Sequence, residues 1–474
     1  MTQLVWFRTD LRTHDNPALW AACQNSDGGV LSVVYITEKQ WQHHGLGPRK
    51  IQLIKNAILR LKESLERLNI PLLIIKADTF TECIHSLQRT MTQLDVQHLY
   101  FNAEYEVNEK RRDNEVKHWC RHQRISISQF HDQCIVKPGT VLTQQGQAFK
   151  VFSPFKRAWI NLADNRIATP LAQPLKRPLT VQKALFKLCS AQANNALLNY
   201  LEDPLWPISE DEAQNRLNEF VAERAEAYQQ LRDLPAANAT SRLSTYLSLG
   251  LLSPLQCLQT AMLHNQGLLI SGNQGFDSWV NELIWRDFYR HLLVAFPKLC
   301  MHKAFKEETE QVQWRNSEAD FQAWCEGRTG YPIVDAAQRQ LLTEGWMHNR
   351  LRMVSAMFLT KHLLIDWRKG EAFFNHHLVD ADLASNNGGW QWSASTGADG
   401  VPYFRIFNPT TQSQRFDSNG EFLTRFIPEL GTLPAAARHN PSAQQRLICN
   451  YPEPIVEHKF ARQRALNAFK LLTL

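Results

Sequence analysis

Four short stretches concentrate side chains able to do chemistry. In Trp279-Val-Asn-Glu-Leu-Ile-Trp-Arg-Asp-Phe-Tyr289, helical spacing puts Glu282, Trp285, Arg286 and Tyr289 on neighbouring turns of one side, a carboxylate beside indoles. That face is unusual for a core and can be a site, or it can be an Arg286–Glu282 surface ion pair flanked by core aromatics. Asn349, Arg352, Met353 and Ala356 recur at i, i+3, i+4 and i+7, again one helical face. Asp380-Ala-Asp382-Leu-Ala-Ser-Asn386-Asn-Gly-Gly-Trp390-Gln-Trp392 is too polar for a helix core and too aromatic for a plain loop. Its two carboxylates suit a metal, acid–base work, or acceptance of hydrogen bonds from the ring and amide edge of a heterocycle. Metal is the weakest of the three. His43-His44 and His376-His377 are adjacent pairs whose side chains point apart, and no cysteine is spaced to complete a zinc site. Finally, Thr240-Ser241-Arg242-Leu243-Ser244 places three hydroxyls and an arginine at the expected start of a helix. Free amide hydrogens and the helix dipole make such an end a phosphate cradle, although an ordinary N-cap has the same composition.

Eight of the 14 tryptophans lie between Trp279 and Trp392. A large aromatic core accounts for most such clusters, yet a buried indole needs a partner for its N–H and is seldom used this densely as filler. With 474 residues, 44% hydrophobic and 21% charged, the chain has material for two to four domains and is neither disordered, collagenous nor coiled coil. Its net charge of +6 permits a polyanionic partner without requiring one. Nine scattered cysteines without a C-x-x-C pair suit a reducing cytoplasm. Trp6, Arg8 and Asp10 forestall a signal-peptide apolar run, which points away from secretion.

These side chains need elements to hold them. Leu4 to Phe7, Val30 to Ile36, Leu72 to Lys76, His98 to Asn102 and Ile125 to Phe130 read as strands, with helices between them such as Ile51 to Leu68. Strand and helix in alternation predict a doubly wound parallel sheet over 1–130, which takes ligands at the carboxyl ends of its strands. No dinucleotide fingerprint is present: Gly45-Leu46-Gly47-Pro48-Arg49 lacks the third glycine and the preceding strand, and reads as a loop. Pro138, Pro154, Pro170, Pro174 and Pro178, with little periodicity, mark 131–200 as a linker. Residues 201–474 read as helical, with starts such as Ser253-Pro254. The uncharged run 243–276 is interrupted by Pro254, His264 and several amides, so it reads as buried helices and not a membrane span.

In combination these motifs are recognisable. Trp6-Phe-Arg-Thr-Asp-Leu-Arg12, Thr240 to Ser244, Trp279 to Tyr289, Gly330-Tyr-Pro-Ile-Val-Asp335, Gly345-Trp-Met-His-Asn-Arg350 and Asp380 to Trp392 occur in the order found in the DNA photolyase/cryptochrome family. The chain resembles that family over nearly its whole length, most closely the bacterial, folate-antenna members that repair cyclobutane pyrimidine dimers.

The resemblance implies a Rossmann-like α/β domain, a long linker and an all-α FAD-binding domain. It implies FAD held by Tyr228, Thr240, Ser241, Arg242, Leu243, Ser244, Trp279, Glu282, Arg286, Asn349, Arg352, Asp380, Ala381, Asp382 and Asn386, with Arg352 paired to Asp380 and Asn386 facing flavin N5. It implies UV-damaged DNA as substrate, met by Arg232, Glu282, Trp285, Arg286, Tyr289, Asn349, Arg350, Met353, Trp392 and Gln412, with Glu282, Asn349, Met353 and Asn386 closest to the chemistry. On this reading photoexcited reduced flavin lends an electron to the flipped-out dimer and recovers it after the ring splits. Trp390, Trp367 and Trp314 correspond to the family's electron-transfer chain. His44, Asn108 and Glu109 correspond to the holders of 5,10-methenyltetrahydrofolate. The chain departs from its relatives after Cys300, where Met301-His302 replaces a lysine beside the cysteine. No metal and no membrane is implied, and the expected protein is a cytoplasmic monomer.

Two other activities fit the resemblance. A (6-4) photoproduct photolyase typically has histidines where this chain has Asn349 and Met353. A cryptochrome-type blue-light sensor often extends well past the flavin domain, whereas this sequence stops soon after Ile455 to Lys459.

Overall fold

The computed structural model of the chain describes residues 2–24, 29–163, 167–192 and 199–472. Five strands, β1 (Thr2–Phe7), β2 (Val30–Ile36), β3 (Leu72–Lys76), β4 (Val96–Asn102) and β5 (Ser126–Phe130), pair in the order β3-β2-β1-β4-β5. Every pairing is parallel. All seven residues of β2 are buried, which is why it reads as an unbroken apolar run: a strand covered on both faces has no polar side to alternate with. The first long helix runs Pro48–Arg67, so the Gly45-to-Arg49 stretch is a turn leading into a helix start with proline in its first turn. Trp6, Leu87, Met91, Leu99, Phe101 and Val116 belong to one core against the sheet, each large side chain worth about 1.5–3 kcal/mol when fully buried.

The crossovers diverge between β1 and β4, where sheets of this kind take ligands. Here the chain's own side chains fill that place. Arg8 and Arg112 lie over the Trp6 ring at 4.4 and 4.8 Å, and Arg112 pairs with Glu104 at 2.6 Å and Asp113 at 2.8 Å. A nucleotide-like ligand entering the carboxyl-end crevice would have to displace these buried, mutually paired charges.

The segment 131–200 is not the uniform connector that its prolines suggested. It contains the helices Phe152–Ala163 and Leu179–Gln192. Pro154 sits in the first turn of the former, where a missing amide hydrogen costs nothing, and Pro170, Pro174 and Pro178 lie outside both. By contact, the chain divides into one unit of residues 1–148, 155–223 and 241–295, and another of 149–154, 224–240 and 296–474. This division follows packing, whereas boundaries near 130 and 200 follow chain order.

The first unit adds to the sheet the helices Glu210–Glu223, Pro254–His264 and Gln274–Ala295. Ser253 caps the second of these through a reciprocal capping box with Gln256. The uncharged run 243–276 thus supplies short helices and their connections, and among the described residues no helix is long and apolar enough to cross a membrane. The second unit is helical, including Pro332–Glu344, Asn349–Met357, Trp367–His377, Leu383–Ala394, Pro409–Phe416 and His458–Lys470. Its motif residue Asp335 is wholly buried and accepts from the amides of Thr329 (2.7 Å) and Gly330 (3.0 Å) and from the Tyr451 hydroxyl, a structural knot.

Candidate functional site

In the first unit the helix Gln274–Ala295 buries Phe276, Trp279, Val280, Leu283 and Ile284, while Glu282, Trp285, Arg286 and Tyr289 stay half-buried. Trp279 packs on Phe220 at 5.1 Å, and the Trp285 ring lies 5.6 Å from that of Tyr289. The Arg286 guanidinium donates to the carbonyl of Gln133. Behind this face, buried Asp287 accepts from the amides of Ile135 (3.3 Å) and Val136 (3.0 Å) and from Trp159 Nε1 (2.9 Å). Burial raises its carboxyl pKa, and those donors oppose the rise. The aromatic and acidic face is therefore fixed in angle by an anchor on the opposite side of its own helix.

The stretch Thr240 to Ser244 differs from the sequence expectation. The helix begins only at Ser244 and spans six residues, Ser244–Leu249, with Leu243 at the cap position and Arg242 in the left-handed region at φ 53°. Ser241 Oγ accepts from the Leu243 amide at 3.4 Å, a local bond that competes with helical continuation. Thr240, Ser241 and Arg242 thus belong to the approach to the helix and not to its first turn.

In the second unit, Asp380 is buried and its Oδ2 lies 2.8 Å from Arg352 Nη2. Its Oδ1 is buried with no hydrogen-bond partner. Residues 383–394, expected to be neither helix nor simple loop, form a helix, because Asp382 caps it by accepting from the Ser385 amide at 2.9 Å. Ala381 is buried between the two aspartates. Asn386 Nδ2 donates to the carbonyl of Glu371 at 3.0 Å, and Asn387 Nδ2 to Glu371 Oε1 at 2.8 Å. Glu371 Oε2 meets His302 Nδ1 at 2.8 Å, a contact that raises the His302 pKa. Asn349 is exposed at the start of its helix, Arg350, Arg352 and Met353 are half-buried, and Trp392 is half-buried two residues, about half a turn, beyond buried Trp390. Tyr228 is buried with the Arg232 guanidinium 5.3 Å from its ring, and Gln412 lies on the helix Pro409–Phe416 with a buried, unpartnered Oε1.

Trp390 and Trp367 are buried and Trp314 is half-exposed. Trp390 packs against Phe374 at 4.9 Å and Trp324 at 6.0 Å, and Trp314 packs edge-on to Phe469 at 6.0 Å. Gly370, on the helix of Trp367, is required here: any Cβ would collide with the Trp390 ring.

His44, Asn108 and Glu109 converge in the first unit. His44 Nε2 lies 3.1 Å from Asn108 Nδ2 and its Nδ1 3.5 Å from Glu109 Oε1. Burial, then the charges of Glu106 and Glu104, pushes the Glu109 carboxyl up to about 8, and burial lowers the His44 pKa. Among the described residues no group of three His, Cys, Asp or Glu side chains could hold a metal ion.

Sequence reasoning passed over two residues. Glu371 organises Asn386, Asn387 and His302, and its signal was a lone carboxylate after Gly370 in an aromatic helix. Lys361 is fully buried, donating to the Ala394 carbonyl at 3.0 Å and so tying down the end of the helix Leu383–Ala394. It lies on a short π-helical turn, Phe358–His362, which no sequence period reveals.

Residues 3–176 match the family described as DNA photolyase, and residues 279–471 match the FAD binding domain of DNA photolyase. The deoxyribodipyrimidine photo-lyase of Escherichia coli is 44% identical over 472 residues, covering 99% of this chain and 98% of that protein. The one from Vibrio cholerae is 42% identical, covering 99% of each. A class III photolyase from Agrobacterium tumefaciens superposes with a TM-score of 0.83 at 32% identity, covering 100% of this chain and 98% of that one. The chain belongs to the DNA photolyase family. Its second unit fits the family's flavin: Asp380 keeps one carboxylate oxygen paired and the other buried and open, a state suited to a ligand N–H donor.

Proposed function

We infer that the chain is a DNA-repair flavoenzyme, a deoxyribodipyrimidine photo-lyase that splits cyclobutane pyrimidine dimers under light. The observation that carries this reading is full-length similarity to proteins of that name, joined to an FAD-binding domain whose buried Asp380 retains an open acceptor. Reduced FAD, when bound, would supply the chemistry, one-electron donation to the dimer under light with return of the electron.

The chain's own residues bind, orient and exclude water. Arg352 and Asp380 would form the paired base of the flavin site, and the Asn386 amide would serve N5, where either a donor or an acceptor is useful. With Nδ2 tied to the Glu371 carbonyl, the amide is held in one orientation. Tyr228 and residues 240–244 serve the phosphates. Extruding a dimer from the stack costs roughly a few kcal/mol, less for a distorted lesion, and stacking on Trp285 and Trp392 offsets it at about 1–3 kcal/mol per base. Glu282, in its protonated form, donates to a pyrimidine carbonyl, Asn349 and Arg350 meet the lesion or its backbone, Met353 packs against the lesion, Arg232 meets a phosphate, and Gln412 contacts the DNA. Trp314, Trp367 and Trp390 would serve as the electron-transfer route to the flavin. His44, Asn108 and Glu109 hold a folate antenna. The protein works as a cytoplasmic monomer.

The test is direct. The purified protein, loaded with FAD and reduced, is mixed with dimer-containing oligothymidine and compared in blue light and darkness. Dimer loss only under illumination supports the reading. Lesion-free DNA bound equally well, with no repair in light, would favour the sensor instead.

A further inference from the structure

Arg350 holds an anion already, and the manner in which it does so matters. Its Nη2 lies 2.5 Å from Asp233 Oδ2, with both side chains partly open to solvent, at 18% and 32% exposure. The contact uses one guanidinium nitrogen. Arg350 Nε is buried without a hydrogen-bond partner, so the anion is met at Nη2 and not at Nε. The guanidinium carbon lies 4.6 Å from the Phe416 ring, and the exposed Arg415 lies 5.1 Å from the same ring. Arg232 directly precedes Asp233 in the chain, its guanidinium over Tyr228.

We propose that Asp233 is a built-in competitor for the DNA phosphate at Arg350, an internal anion that DNA must displace on binding and that recaptures the arginine when repaired DNA leaves. The proposal rests on the reading that Arg350 meets the DNA backbone. Partly exposed ion pairs are weak, so exchange at the guanidinium's Nη2 is easy, and an incoming phosphate replaces one charge-assisted bond with another. Phe416 supports the guanidinium whichever anion it faces, so exchange needs no rebuilding of the arginine's position. Because the pair must break in any complex that uses Arg350, Asp233 lowers affinity for damaged and repaired DNA alike. Its benefit lies in turnover, since repaired DNA is released against a waiting carboxylate. A salt bridge serving only to position Arg350 predicts the opposite sign: removing Asp233 would weaken binding.

The experiment uses the full-length, FAD-loaded protein in the dark, with a labelled duplex bearing one thymine dimer and its undamaged twin, titrated from about 50 to about 200 mM salt. Asp233→Asn is expected to tighten both duplexes about three- to tenfold and to steepen the salt dependence by about one phosphate equivalent. Repair per photon in a single turnover should be unchanged, and multiple turnover slower. In an Arg350→Ala background the same substitution should give no gain. If Arg350→Ala weakens binding but Asp233→Asn leaves it unchanged or weaker, the competitor is overturned and the Arg350 contact stands. If Arg350→Ala has no effect on either duplex, both fall. Bound-flavin absorbance and thermal melting of each variant separate these outcomes from misfolding.

Discussion

The His44 cluster and the Asp380 segment are both polar, both partly buried, and opposite in how they treat their hydrogen bonds. His44, Asn108 and Glu109 lie within reach of one another. Around Asp380 one oxygen is locked by Arg352 while the other, together with the Trp390 indole N–H, is buried and has no partner. A cluster that can satisfy itself is stable empty and binds a guest by exchanging bonds. A region with open buried atoms has a desolvation cost already incurred, which a ligand with matching groups recovers. The difference predicts that FAD binds tightly as a structural partner, and that the folate proposed at His44 binds weakly and reversibly.

The largest expected effect comes from breaking the paired side of the second region. Arg352→Ala strands a buried carboxylate and should cost about 2–4 kcal/mol in denaturant unfolding of the flavin-free protein. Gly370→Ala comes next. Forcing a methyl into the Trp390 ring should cost about 1–3 kcal/mol and slow photoreduction of oxidised flavin, whereas a loosely packed Trp390 would leave both unchanged.

The third prediction probes the His44 cluster through pH. Glu109 has a folded pKa raised to about 8, so the folded state binds a proton that the unfolded chain has lost above its ordinary carboxylate pKa. Stability from this group is full below that value and falls as pH rises toward about 8 and just beyond. Glu109→Gln should remove that fall, raising stability by about 1–2 kcal/mol at alkaline pH relative to the native chain and changing little under acid conditions. Parallel melting curves of the two proteins across this range would contradict it. His44 acts in the other sense, since its lowered pKa gives a contribution that grows as pH rises through the ordinary histidine range.

Much of this was legible in the sequence. β2 announced itself because it is buried on both faces, and both β2 and β3 have the bounds that their apolar runs have. The half-buried face of Glu282, Trp285, Arg286 and Tyr289 followed from helical spacing alone. What stayed hidden was tertiary. Asp382 could be read as a ligand acceptor or as a cap, and only the fold shows its carboxylate on the Ser385 amide. The helix after Arg242 starts late because a serine bond and a left-handed residue precede it, and neither has a periodic signature. Glu371 and Asp233 act through partners 15 and 117 residues away, distances at which spacing carries no information.

The central claim is that the open oxygen of Asp380 awaits a flavin N–H. Flavin affinity of the native chain and of Asp380→Asn, measured by fluorescence quenching on titration with FAD, tests it most directly. The account predicts at least about tenfold weaker binding in the variant, since an amide pairs less well with Arg352 and accepts more weakly. Equal affinity in the two proteins would contradict it.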